Sequence, residues 1–143
     1  MFQWIFWLFS LVRLMDYDQF NEYCRSLPAT THVVQWGGAQ VWKVGGKVFA
    51  IGGWAKANNG TGNPAFTFKT SELHYELLKD ESGYRPAPYL ASRGMKWIQQ
   101  VSTDKSLDEP LTYYLRESHR LVSLKLTKKL QRELGLNQPA CDE

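Results

Sequence analysis

Cysteine is almost absent: Cys24 and Cys141 stand far apart and belong to no CxxC pair. That excludes a disulfide framework and a thiolate zinc site, and leaves a reduced, cytosolic chain with a buried thiol at Cys24 as the expectation. The three histidines, His32, His74 and His119, fall in three separate segments without HxxxH spacing or a cysteine at ligand spacing. Each is expected to be a core or surface histidine, so no metal and no other cofactor is anticipated. The chain also lacks a nucleophile elbow, a phosphate-binding glycine loop and a carboxylate pair at useful spacing, which argues against an enzyme. Internal repeats are missing, and so is any run of about 20 apolar residues of the kind a membrane-spanning helix needs. Acid is missing locally: from Tyr23 through Ser71 there is no Asp or Glu, while Arg25, Lys43, Lys47, Lys56 and Lys69 lie in that stretch.

What is present fits one domain. A chain of 143 residues can bury one core and is too short for two comfortable ones. Its 43% apolar and 22% charged residues are ordinary for a globular protein, so disorder is expected only at the ends. The net charge of +3 is too small to announce a nucleic-acid binder, but its distribution says more. A second basic stretch runs from Arg116 through Arg132, with Arg120, Lys125, Lys128 and Lys129 inside it and only Glu117 opposing. Acids gather at Asp16, Asp18 and Glu22, from Glu72 to Glu81, and from Asp104 to Glu109. If folding joins the two basic segments the molecule is bipolar; otherwise these charges solvate separate surfaces.

The first residues read MFQWIFWLFSLVRL, almost wholly apolar and aromatic up to Leu14. The stretch is too short to span a bilayer and lacks the positive n-region and small-residue cleavage site of a secretory signal. Three readings stand: a start assigned upstream of the true one, an interfacial anchor, or a helix packed on the domain. Met15, followed by DYDQFNEYCRSLP, looks like a natural start. Membrane contact is expected only if residues 1–14 are genuine.

From Asp16 onward, Phe20, Tyr23, Cys24 and Leu27 follow helical spacing, which predicts a helix over about Tyr17 to Ser26 ended by Leu27-Pro28. Strands are expected at His32 to Trp36, Gln40 to Val44, Lys47 to Ile51 and Ala65 to Lys69. The segment VWKVGGKVFAI places Gly45-Gly46 between two apolar runs, the pattern of a tight hairpin. In that register Val44 faces Lys47, Lys43 faces Val48 and Trp42 faces Phe49, so Lys43 and Lys47 point to opposite sides of the sheet. They share a patch only if the ribbon tip itself binds or the turn is longer. The Gly- and Asn-rich segment from Gly52 to Pro64, containing Trp54, reads as a flexible connection. A second helix should start near Ser71, capped by Thr70 or Ser71, with Leu73, Leu77 and Leu78 inward. GYRPAPY, with two prolines, is expected to lie outside the sheet. A last strand is expected over Lys96 to Val101, with Trp97, Gln99 and Val101 on one side. A long helix follows Asp108-Glu109-Pro110, and Thr127 caps a final turn over Lys128 to Leu134 that Gly135 ends.

The succession YCRSLP, WKVGGKVFA, FKT, YRPAPYLASRGMKW and a terminal ESHRLV resembles the MmcQ/YjbR family over about Asp16 to Leu130. Members of that family are described as DNA-binding proteins with a frataxin-like (CyaY-like) α+β fold, an antiparallel sheet packed by N- and C-terminal helices. The resemblance matches Cys24, Leu27 and Pro28 to the family's first helix end, and Lys43, Gly45, Gly46, Lys47 and Phe49 to its central hairpin. It matches Lys69 to the next strand, Arg85, Pro86, Tyr89, Lys96 and Trp97 to the later loop and final strand, and Ser118 to the last helix. The apolar extension and the long loop near Trp54 depart from the pattern. Frataxins proper bind iron through dense acidic stripes; here the strands carry no acid, so iron delivery is not expected.

Three function classes follow. The first is binding of DNA, with Lys43, Lys47, Lys69, Arg85, Arg93, Lys96 and Arg120 neutralising phosphates and Trp36 or Trp54 stacking on unpaired bases. The second is a protein or peptide module using the sheet and the exposed aromatics near Trp36 and Trp54. The third, chemistry in an anion pocket built from Arg85, Tyr89 and Arg93 around the proline-rich loop, competes with a purely bracing loop. The expected domain is 16–134, with 1–15 an extension and 135–143 a flexible tail.

Overall fold

The chain enters its first helix through a reciprocal cap. The Asp16 carboxylate accepts from the Gln19 N–H at 2.8 Å, and the Gln19 side chain accepts from the Asp16 N–H at 3.2 Å, which satisfies two N-terminal donors at once. The computed structural model describes residues 16–53, 64–88, 90–102 and 104–139. The expectations placed on residues 1–15, on the loop with Trp54, on Tyr89 and on Cys141 lie outside the described residues.

Helix α1 (Tyr17–Ser26) buries Phe20 and Cys24 and ends at Leu27, as the following proline requires. Strands β1 (Thr30–Gln35), β2 (Ala39–Val44), β3 (Lys47–Gly52) and β4 (Phe66–Lys69) lead to the short helix α2 (Glu72–Leu78). Then come β5 (Tyr84–Pro86), a 3-10 turn (Ala91–Arg93), β6 (Trp97–Gln100), a second 3-10 turn (Lys105–Leu107), and helices α3 (Asp108–Ser123) and α4 (Lys128–Leu134). The strands form one six-stranded sheet in the order β1-β2-β3-β4-β6-β5, antiparallel throughout. The fold is α+β, and no described helix is long and apolar enough to cross a membrane.

One face of the sheet is covered by α1 and α3. Phe20, Cys24, Trp42, Phe49, Phe66, Phe68, Ile98, Leu111 and Leu115 meet there and are all at or below 1% exposure. Burial of that aromatic and aliphatic surface is the main stabilising term. Polar ties fix the register of α1 on the sheet: Trp42 Nε1 donates to Asn21 Oδ1 at 2.8 Å, and Asn21 Nδ2 donates to Gln40 Oε1 at 3.1 Å. Ser118, in the middle of α3 and wholly buried, donates to the Phe49 carbonyl at 2.6 Å and accepts from the Lys69 N–H at 2.8 Å. It thereby supplies hydrogen bonds that the β3–β4 ladder does not make at these residues. Packing continues past α4, where Leu136 is buried in the same core and Asn137 donates to Ser123 and Gln131.

Several expectations need correction. The hairpin turns on Gly45 and Gly46, both with positive φ (57° and 85°), as expected. Trp42, however, pairs with Ala50 and not with Phe49, because a bulge between Trp42 and Lys43 shifts the register. Phe49 is the extra residue on β3, and both aromatics still reach the helical side. The first strand starts and ends two or one residues earlier than expected, leaving Trp36 in the turn. Helix α2 is capped by Ser71 and turns Leu78 inward, yet Leu73 and Leu77 are 67% and 59% exposed. A helix of seven residues touches the body along one narrow line, so most of its surface stays wet. Tyr84–Pro86 does join the sheet, as its edge strand. The Ala87 N–H donates to the Trp97 carbonyl, so the position lacking an N–H, Pro86, faces away from β6 where nothing is lost. The last strand stops at Gln100, one residue short of Val101.

Candidate functional site

Among the described residues no helix covers the opposite face of the sheet, yet Val41, Ile51, Thr67 and Gln99 on it are all at or below 2% exposure; its charge is one-sided. None of the six strands contains an Asp or Glu; every described acid lies on a helix or on the connections beside the helices. The strands carry Lys43, Lys47, Lys69 and Arg85 instead. Alternation places Val33, Val41, Lys43, Ile51, Thr67, Lys69, Trp97 and Gln99 on this second face. Ala39, Val41 and Ile51 form a small second apolar cluster there, with Val33 and Val48 packed against it.

A hollow of about 510 Å³ indents this face. Strands β3 and β6 supply Val48, Ile51 and Trp97, and the β5–β6 connection supplies Leu90, Arg93 and Met95. Trp36 from the β1–β2 turn and Lys47 from the hairpin also border it. Among the described residues the lining is apolar with two cations, a composition common in small-molecule clefts. Trp36 is 52% exposed and sits at φ 50°, a left-handed conformation that costs a residue with a Cβ roughly 1–2 kcal/mol. Gly37 and Gly38 follow with φ 78° and 103°, so the turn is shaped to project Trp36 despite that cost.

Two donors beside the hollow lack acceptors. Trp97, only 5% exposed, has a buried Nε1–H without a partner among the described residues, and so does Arg85 Nη2. An unmet buried donor costs about 1–3 kcal/mol. The rest of the Arg85 head is engaged: Nε donates to Gln99 Oε1 at 2.9 Å, and Gln99 Nε2 donates to Thr67 Oγ1 at 3.1 Å. Arg85 therefore braces a polar ladder across β5, β6 and β4.

The sequence-derived cations divide into two groups. Lys47 and Arg93 border the hollow, and Lys69 is paired with Trp97 across β4 and β6. Burial holds the Lys69 ammonium below the usual lysine range, and the charges of Lys125 and Lys47 push the same way. Lys47, Lys69 and Lys125 thus form one cationic cluster at the hairpin end, where Leu126, just after α3, packs against Gly45. Lys43 lies half-buried on the second face nearer the β1 edge, paired with Thr31 and Val48. The remaining two lie elsewhere. Lys96 Nζ sits 4.8 Å from the Tyr75 ring centre, on the α2 side. Arg120 is ion-paired with Glu117 at 2.9 Å on α3.

Lys125 is the cation that the site list drawn from sequence omitted. It belongs to the second basic stretch, but only the packing of α3 over the hairpin brings it to Lys47. The histidines are all in structural settings. His119 is largely buried with Nε2 donating to the Pro28 carbonyl at 2.8 Å, His32 stacks on Trp42, and His74 pairs with the capping Ser71. No group of three His, Cys, Asp or Glu among the described residues is arranged to hold a metal ion.

Comparison with known proteins places this geometry in context. A family model described as YjbR matches residues 25–121. The crystal structure of Deinococcus radiodurans protein DR2400, which carries a DUF419 domain, is similar with a TM-score of 0.71 and 22% identity, covering 87% of this chain and 91% of that one. At that identity the likeness establishes the fold. No curated protein matches the chain.

Proposed function

The chain belongs to the YjbR family, and we propose that it is a non-enzymatic DNA-binding protein that engages phosphates at the hairpin end of its sheet. One observation carries this reading: all six strands are free of acid, while Lys47, Lys69 and Lys125 cluster at the hairpin end beside Arg93. Burial lowers the Lys69 ammonium most, with repulsion from Lys125 and Lys47 adding to it, and an anion placed among these charges relieves that repulsion. The acids of α1, α2 and the start of α3 face other directions and give a backbone of phosphates only one favourable side to approach. The expected affinity is micromolar and salt-sensitive, because counterions are released from each neutralised phosphate.

The test is fluorescence anisotropy of labelled oligonucleotides at two salt concentrations. The Lys47→Glu/Lys125→Glu variant should bind at least about tenfold more weakly and show a salt slope shallower by roughly 1–2. Lys96→Glu/Arg120→Glu, which changes as much charge on the helical side, should bind nearly as the parent does. Equal losses from the two variants would mean that net charge, and not the hairpin end, governs binding. A second reading, a peptide-binding module, draws support from the apolar lining of the same hollow and predicts binding that salt barely changes.

A further inference from the structure

We infer that the hollow receives an unpaired nucleobase, so that the protein prefers single-stranded nucleic acid to duplex. This rests on the proposed phosphate-binding reading and concerns the same site. Two features together select the occupant. The hollow is apolar and bordered by two tryptophans, Trp36 exposed at its rim and Trp97 buried in its wall; a flat aromatic guest stacks on such surfaces. Lys47 and Arg93 border the same opening, so the guest is attached to an anion and not to a neutral chain.

A paired base cannot enter. Inside a duplex both its faces are stacked and its pairing edge is occupied, so its insertion requires unstacking that a single strand does not. A peptide side chain with a carboxylate matches the cations but gains less from the tryptophans than a purine does.

The experiment compares four probes of equal length by anisotropy at low salt: a mixed-sequence single strand, its duplex, the same strand made abasic throughout, and a phosphorylated acidic peptide. The full chain should bind the single strand more tightly than the duplex or the abasic strand. Trp36→Ala should weaken single-strand binding about tenfold to a hundredfold while leaving the abasic strand unaffected, and Trp36→Phe should restore most of the loss. Trp36 is half exposed in a turn, and a circular-dichroism melt confirms that each variant is folded. If the single strand, duplex and abasic strand bind alike and Trp36→Ala changes none of them, the base-binding inference is overturned while phosphate binding stands. If no oligonucleotide binds, or only the peptide does, both readings fall together.

Discussion

Replacing Ser118 with alanine should destabilise the fold far more than the loss of one hydroxyl suggests. The side chain is wholly buried, and its single oxygen serves two strands, donating to Phe49 at 2.6 Å and accepting from Lys69 at 2.8 Å. Ser118→Ala removes no apolar packing, and the buried Phe49 carbonyl and the half-buried Lys69 N–H both lose that partner. At about 1–3 kcal/mol for each unmet group, the cost is about 3 kcal/mol, which in a domain of this size lowers the melting temperature by roughly 10 °C. Urea unfolding followed by tryptophan fluorescence measures it, with Ser26→Ala as the control. Ser26 also donates to a backbone carbonyl, that of Tyr23, but in an exposed position, and its loss should cost no more than about 0.5 kcal/mol. A Ser118→Ala cost that matches the Ser26→Ala cost would refute the claim that Ser118 bridges β3 and β4.

Three other comparisons probe separate links. Gly45→Ala places a Cβ 2.5 Å from Leu126 Cδ1 at φ 57°, whereas Gly46→Ala meets open space at φ 85°; the first should cost about 1–3 kcal/mol more than the second, and equal costs would remove the Leu126 contact from the account. Burial holds the His119 imidazole below its usual value, partly opposed by the Pro28 carbonyl, so the unfolded chain takes up the proton first as pH falls. Its contribution to stability is therefore complete above about pH 6.5 and is lost as pH falls below it; urea midpoints should drop between about pH 7.5 and about pH 5.5, and His119→Gln should flatten that drop. Leu78→Ala should cost about 2–5 kcal/mol, while Leu73→Lys and Leu77→Lys should each change stability by less than about 0.5 kcal/mol, which calorimetry distinguishes readily.

Much of the fold is legible in the sequence because local rules decide it. The caps at Asp16, Ser71 and Thr127, the Gly45-Gly46 turn, Pro110 in the first turn of α3 and the stop at Gly135 all depend on neighbours within a few residues. What depends on distant partners is not legible. Nothing in VWKVGGKVFAI marks Phe49 as the bulged residue, since Phe49 and Ala50 are both apolar and both fit the core. Pro86 excludes a central strand but not an edge, and the sequence does not say that β6 inserts between β4 and β5.

The site follows the same division. Its residue types were visible as lysines and tryptophans in an acid-free stretch, but their grouping was not. Lys47, Lys69, Arg93 and Trp97 converge only because β3, β4 and β6 are consecutive in the sheet. Lys125 joins them because α3 ends over the hairpin. The same long-range packing sends Lys96 toward Tyr75, whereas Arg120 pairs with Glu117 three residues before it on α3, a local pairing.

The most direct test of the hairpin end and its hollow as the binding surface is a titration of the 15N-labelled chain with a short single-stranded oligonucleotide, followed by backbone and indole chemical shifts. The account predicts that Lys47, Val48, Ile51, Lys69, Arg93 and the Trp36 and Trp97 indole N–H signals move together, while Glu22, Glu76 and Asp108 on the helical side stay still. Shifts concentrated on α1 and α2, or none at all at low salt, would contradict it.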